Sequence, residues 1–419
     1  MSDVTRWLVI GGGSAGCVVA SRLSEETHNE VVLLEAGPDH GPGPVADRGG
    51  AFLDDEARLV PDLEVVRRPG APPEPYPQGF GLGGTSLING SLASPDPELF
   101  AVTHLLPLEK AERLGMLGSA VLDADVRARA ATLVRHNGQR VTAADVYLRP
   151  ALHRTNLMVV TNSPVVSLEL DGWSVVRAIT AEGIEYVADR FVVCAGAIGS
   201  PTLLLRSGLD TPGIGEGLQD HPACAITVEL GAGSDVEAPA ISVVVDRGSR
   251  LIVPLNNIPR APGYGALMGG VMVVSSVGRV SLPDPDGPPL VELRQLSTSA
   301  DVAALTDVMV EMFELLETEA MRNVVRRAFL DDRATPIETI AGDRDRIRDW
   351  AVSHVSGFHH LSSTCREGVV TDPLGRVLGY ENLFVCDASL FPKAPPRVPY
   401  LPIVQLAERL STAWRNSGG

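Results

Sequence analysis

At 419 residues the chain is too long for one simple core, so two domains are the default expectation. Hydrophobic content of 44% against 21% charged residues describes an ordinary globular protein, and no apolar stretch approaches the length of a membrane span. A net charge of −17 argues against nucleic acid and anionic membrane surfaces as partners, because both require clustered Lys and Arg. The five cysteines (Cys17, Cys194, Cys224, Cys365 and Cys386) are odd in number, scattered and without C-x-x-C spacing, and the apolar contexts of Cys17, Cys194 and Cys386 read as reduced, buried thiols. No charged segment followed by an apolar one opens the sequence, so a cytoplasmic location is expected.

The most informative stretch comes first, at residues 7–38. A short apolar run, 8–10, feeds Gly11, Gly13 and Gly16 in G-x-G-x-x-G spacing, with Ser14 and Ala15 between them. Cys17, Val18, Val19 and Leu23 follow at helical spacing, and a second apolar run, 31–34, ends in Glu35 and Ala36. Strand, tight turn, helix and strand with a distal acid form a dinucleotide-binding pattern. The first glycine allows the turn, the second lets a pyrophosphate approach, and the third packs helix on strand. The helix N-terminus supplies N–H groups and a positive dipole end for phosphate. Glu35 is placed to accept hydrogen bonds from a ribose 2′-OH, which favours FAD or NAD over NADP.

A Gly- and Pro-rich loop, 37–50, follows, and then a poorly periodic stretch to Pro77 of the kind that covers a ligand. The segment GFGLGGTSLIN, 79–89, carries Leu82, Leu87 and Ile88 among its glycines, which predicts a turn pressed against a flat ligand. Residues 105–136 predict helix, and 157–170 and 174–179 predict strands. Residues 191–195 predict a buried strand running into Gly196, with a helix over 200–207. Short strands at 225–230, 241–245, 251–255 and 271–274 predict an antiparallel sheet, with helices over 302–329 and 344–354 lying on it. The last stretch, 358–410, returns to strand (383–387), Pro-rich loop and closing helix. The expected fold is α/β plus α+β: a discontinuous Rossmann-like domain and an antiparallel-sheet domain covered by helices.

Several blocks, in order, resemble the glucose–methanol–choline (GMC) oxidoreductases, FAD enzymes that oxidise alcohols. GLGGTSLIN (81–89) resembles the first family signature, although Phe80 stands where a basic or polar residue is usual. CAGAIGSPTLLLRSGL (194–209) resembles the second, PGIGEGLQDHP (212–222) the segment after it, and RVTAADVYLRPAL (140–152) the approach to the adenine-contacting strand. HLSSTC (360–365), VVTDPLGRVLGYENLFVCDASLFP (369–392) and LPIVQLAERL (401–410) resemble the C-terminal block. The chain is shorter than most of the family, with the loss between Leu92 and Arg140, and this short build resembles the mycofactocin-associated branch.

The resemblance implies FAD contacts at Gly11, Gly13, Ser14, Ala15, Gly16, Glu35 and Ala36 in the opening motif. It implies Gly84, Asn89 and Gly90 in the first signature, Val165 near the adenine, Ala195 and Gly196 in the second signature, and Asp387, Ala388 and Leu401 near the C-terminus. An Asp after an apolar strand also serves as a helix cap. Ile88 stands where some members attach flavin through His, which implies non-covalent FAD. His360 occupies the position of the family's active-site histidine and is assigned general base; His359 is expected to face the other way, as in an extended segment. Tyr400 stands eight positions before Glu408, where the family has Asn or His. There it either hydrogen-bonds the substrate oxygen, fills space, or falls out of register among the neighbouring prolines. Cys224 and Cys365 with His221 and His360 lack metal-ligand spacing, so no metal is expected.

The implied domain layout is 1–45, 76–95, 136–222 and 356–419 for FAD, with 46–75, 96–135 and 223–355 as cover and substrate-binding part. The expected partners are a small-molecule alcohol and an electron acceptor: dioxygen, a quinone or a redox carrier. The competing readings are a dehydrogenase serving a mycofactocin-type cofactor, a lyase or light-driven decarboxylase on the same fold, and a non-catalytic flavoprotein.

Overall fold

The computed structural model describes residues 4–42, 56–93, 106–231, 238–258 and 261–416. Its first sheet has five strands, all parallel, in the order Leu157–Val160, Asn29–Leu34, Thr5–Ile10, Arg190–Val193 and Leu383–Val385. The apolar runs WLVI, VVLL and FVV form these strands because a parallel sheet is covered on both faces. Val9, Leu33, Phe191 and Val192 are fully buried. Helix Ser14–Leu23 packs on this sheet beside the closing helix Tyr400–Asn416. The Arg22 guanidinium grips both oxygens of Glu408 at 2.9–3.0 Å, which joins the beginning of the fold to its end.

The single strand expected over 157–170 is two strands. Asn162 is left-handed (φ 53°) and Pro164 lacks an N–H, so the chain turns there and leaves for a separate antiparallel meander, Val165–Asp171, Ser174–Thr180 and Glu185–Tyr186.

The larger sheet is antiparallel, ordered Val325–Phe329, Pro222–Leu230, Tyr264–Val271, Arg250–Leu255, Val243–Asp246 and Ala128–Ala130. Alternation divides its side chains between two faces. Ile226, Val228, Val243, Val245, Ile252 and Leu267 share one apolar cluster with the long helix Ser299–Leu316 and the helix Gly115–Ala124. Val244, Leu251 and Val253 face the opposite way, in one apolar cluster with Met272 and the partly buried Phe358.

Three expectations need correction. The strand expected at 271–274 lies earlier, at Tyr264–Val271, where its glycines disguise it. These glycines serve close packing: a Cβ on Gly269 would lie 2.4 Å from Val308, and one on Gly270 2.3 Å from the Phe358 ring. The helix expected over 105–136 is short, Gly115–Ala124, and is flanked by strands Leu108–Lys110, Ala128–Ala130 and Thr132–His136; Leu105 lies outside the described residues. Pairing of Ala128–Ala130 with Val243–Asp246 outweighs the local Leu/Ala periodicity. The helix expected over 302–329 gives way after Arg322 to strand Val325–Phe329, which completes the sheet beside Pro222–Leu230.

Candidate active site

The three motif glycines differ in what surrounds them. Gly11 has φ +103° and a Cβ there would lie 2.6 Å from the Cys194 carbonyl; one on Gly16 would lie 1.8 Å from the Gly11 carbonyl. Gly13, by contrast, has nothing nearer than 3.9 Å. Folding alone therefore accounts for the first and third glycines, and the second is left with open space. Gly13 starts helix Ser14–Leu23 with no side-chain cap and no acid in the first turn, and Gly13 and Ser14 are partly exposed while Ala15 is buried. An uncapped helix N-terminus beside the open backbone at Gly13 fits a pyrophosphate.

Glu35 is 8% exposed; it accepts hydrogen bonds from the N–H groups of Gly12 at 2.6 Å and Gly37 at 2.9 Å. Burial holds its carboxyl above the usual range, against the pull of those N–H groups. Ala36 is exposed next to it. The turn leading to Val165 is tied to the same corner, since Ser163 N–H donates to the Glu35 carbonyl and Asn162 N–H to that of Gly37.

The glycine-rich turn of the first signature presses on the phosphate-binding turn itself. Gly83 N–H donates to the Gly12 carbonyl, and Gly84 (φ +52°) lies so close that its Cβ would be 2.7 Å from the Gly13 Cα. Asn89 accepts from Arg140 at 2.9 Å and from the Ser91 N–H, and Gly90 lies against Ile241. At the second signature, Ala195 precedes helix Gly196–Arg206. Asp387 accepts from the Gly196 N–H at 2.9 Å and the Ser200 hydroxyl at 2.5 Å, while its other oxygen caps the turn Ala388–Leu390. Asp387 thus is a cap and, at the same time, the joint between the second signature and the C-terminal block. Leu401 is buried in the first turn of the closing helix.

His360 is half-buried, with its ring stacked over Phe358 and edge-on to His221. Its Nδ1 lies 2.9 Å from Nδ1 of His221, which is fully buried. Burial first, then the neighbouring His221 and His359, keep the His360 ring well below its ordinary 6.5. Burial lowers His221 to about 4 as well, and the nearby carbonyls of Pro395 and Met272 favour a proton on its ring. Nε2 of His221 is buried and has no hydrogen-bond partner among the described residues. Either ring can donate across the Nδ1–Nδ1 contact, and a proton on Nδ1 of His360 leaves a lone pair on its Nε2.

His359 does face away, packed edge-to-face on Tyr76, but through a left-handed turn (φ +61°) rather than an extended segment. The hydroxyl of Tyr400 lies with Ser86 and Arg140; burial pushes it up while those two pull it down. The sequence reading weighs His221 only as a metal ligand and passes over its neighbour Asp220, although the structure sets His221 against His360 and Asp220 beneath both. Both lie in the quoted segment 212–222, where Gln-Asp-His-Pro opens a strand.

A parallel sheet with an uncapped helix end at its glycine-rich turn, in one chain with an antiparallel sheet that carries a buried histidine contact at its edge, fits a dinucleotide-dependent oxidoreductase. A family model described as GMC oxidoreductase matches its N-terminal part to 124–223 and its C-terminal part to 274–407, together more than half of the chain. The chain belongs to the GMC oxidoreductase family, whose members bind FAD. It is 25% identical to an uncharacterized GMC-type oxidoreductase of Rhodococcus erythropolis, over 98% of both chains. It is likewise 25% identical to the oxygen-dependent choline dehydrogenase of Staphylococcus xylosus, over 98% of this chain and 95% of the other. The fold matches a crystal structure of pyridoxine 4-oxidase from Mesorbium loti with a TM-score of 0.87, 22% identity and 99% coverage of each chain. The alignment to the Rhodococcus protein runs to 515 positions against 419 residues here, so long stretches of that relative fall opposite gaps. No helix among the described residues is long and apolar enough to cross a membrane, and no group of three or more His, Cys, Asp or Glu there is arranged to hold a metal ion.

Proposed function

We propose that the protein oxidises an alcohol to its carbonyl, with Nε2 of His360 accepting the hydroxyl proton and His221 fixing the tautomer that makes this possible. The Nδ1–Nδ1 contact of 2.9 Å between the buried His221 ring and the half-buried His360 ring carries the reading. FAD, when bound, supplies the hydride acceptor. The protein's own part is to hold a neutral base, to direct its lone pair outward and to keep water away. Stacking on Phe358 and the bond to His221 fix the His360 ring in two directions. The apolar face made by Val253, Met272 and Phe358 excludes water next to it and suits an alcohol with an apolar body. Relatives named choline dehydrogenase and a fold neighbour named pyridoxine 4-oxidase support a hydroxyl-bearing substrate.

In this reading FAD is held without a covalent bond, because Ile88, buried before Asn89, has no nucleophilic atom. The FAD-binding part gathers 1–45, 76–95, 136–222 and 356–419, which supply every strand of the parallel sheet. The gaps against longer relatives favour a bulky redox carrier, such as a mycofactocin-type cofactor, as electron acceptor. A cytoplasmic location agrees with five free, buried cysteines. Anaerobic mixing of the FAD-loaded protein with a panel of alcohols, followed at the flavin absorbance, tests the proposal. Bleaching by one class of alcohol is the expected result. A flavin that dithionite reduces but no alcohol does would contradict it.

A further inference from the structure

The histidine pair owes its position to an interruption in a β-ladder. Pro222 pairs with Gly357 and Ala223 with Ser356, while three residues earlier Gln219 bridges to Ser362. Three steps on one strand are therefore opposed by five on the other. The two extra residues form a bulge that contains His359 and His360, in the manner by which bulges re-aim side chains beside active sites. Phe358 N–H donates to the His221 carbonyl below the bulge, and Gln219 and Ser362 exchange main-chain bonds above it. Between them the His360 N–H has no main-chain carbonyl opposite; it donates to the side chain of Asp220 at 2.7 Å.

The same oxygen of Asp220 accepts from the His221 N–H at 2.8 Å. One carboxylate atom thus joins the main chains of both histidines. Asp220 is 3% exposed, and its other oxygen lies near Tyr76, Arg67 and Gln295 around Gly357 without a hydrogen-bond partner among the described residues. A Cβ on Gly357 would lie 2.4 Å from that oxygen, so the space is closed to any side chain. Tyr76 and Arg67 are themselves buried, and Arg67 is paired with Glu74. Tyr76 also packs on the His359 ring, which holds the left-handed residue of the bulge.

We propose that Asp220 is a positioning residue for the histidine pair: its carboxylate replaces the ladder bond lost at the bulge, and Tyr76 and Arg67 confine that carboxylate by packing around its second oxygen. The stretch 63–76, which looks like a surface cover in sequence, is thereby part of the catalytic support. Burial raises the Asp220 carboxyl to about 6, so at neutral pH it is ionised and acts only as an acceptor. The catalytic consequence rests on the reading of His360 as base; the structural consequence does not.

The test compares Asp220→Ala, Asp220→Asn and Tyr76→Phe in FAD-loaded protein by two readouts. The first is the proton and nitrogen NMR signature of the Nδ1–H···Nδ1 bond in histidine-labelled protein. The second is the rate of flavin reduction by an alcohol. Asp220→Ala is expected to lose the signature and slow reduction by at least about tenfold with FAD still bound, because a small misplacement of the base is costly. Asp220→Asn keeps an accepting oxygen for both N–H groups and is expected to restore the signature and most of the rate. Should Asp220→Ala fail to fold, Tyr76→Phe is expected to broaden or shift the signature without loss of FAD. An unchanged signature in Asp220→Ala, or in Tyr76→Phe where the former does not fold, would overturn the proposal even if the melting temperature falls. If no alcohol reduces the wild-type flavin, the functional reading fails, while the NMR arm still decides the role of Asp220.

Discussion

At the scale of single residues, two environments decide what the side chains do. Burial keeps His360 neutral well below its ordinary 6.5, so flavin reduction is expected to stay level from pH 8 to below pH 6 rather than halve near 6.5. A pH profile measured anaerobically at saturating alcohol checks this. Tyr400 supplies a contrast. Its hydroxyl is turned to Ser86 and Arg140, so Tyr400→Phe is expected to change the reduction rate by less than about tenfold, below the range of a lost acid–base group. His360 was legible in sequence because HLSSTC is a local block. His221 and Asp220 were not, since their roles arise from a register shift between distant segments that no local pattern reports.

At the scale of elements, the opening strand–turn–helix separates folding from binding. Gly16→Ala would drive a Cβ into the Gly11 carbonyl and is expected to abolish soluble expression, whereas Gly13→Ala meets nothing closer than 3.9 Å. The Gly13 variant is expected to fold with an unchanged melting temperature as apoprotein and to lose FAD affinity by at least about tenfold, because the backbone can no longer approach the phosphates. Titration of both apoproteins with FAD, alongside thermal melts, distinguishes the two. The helix pair at the ends of the chain offers a second case. Arg22 and Glu408 form a bidentate pair with 19% and 7% of their side chains exposed, and Glu408→Ala is expected to destabilise by about 3 kcal/mol in urea melts. Element type was readable where runs are apolar and continuous, as in 5–34. It failed at Tyr264–Val271 and over 105–136, where glycines fitted to a neighbouring helix and pairing with a remote strand prevail over local propensity.

For the whole molecule, the buried histidines make stability depend on pH. A histidine lowered on folding contributes stability that is present above its ordinary 6.5 and lost as pH falls through its folded value, about 4 for both His221 and His359. Asp220 acts in the opposite sense: raised to about 6, it contributes stability below its ordinary 3.8 that is lost as pH rises through 6. Three lowered histidines outweigh two raised carboxyls, Asp220 and Glu35, so the urea midpoint is expected to fall between pH 6.5 and pH 4. His221→Asn should flatten that slope, and Asp220→Asn should steepen it.

The central claim is that His360 is the base in alcohol oxidation. Its most direct test is the anaerobic stopped-flow reduction of the flavin in wild-type and His360→Ala protein, each with FAD content measured beforehand. The account predicts equal FAD content and a reduction rate at least about a hundredfold lower in the variant, the loss typical of a removed general base. Equal reduction rates at equal FAD content would contradict it.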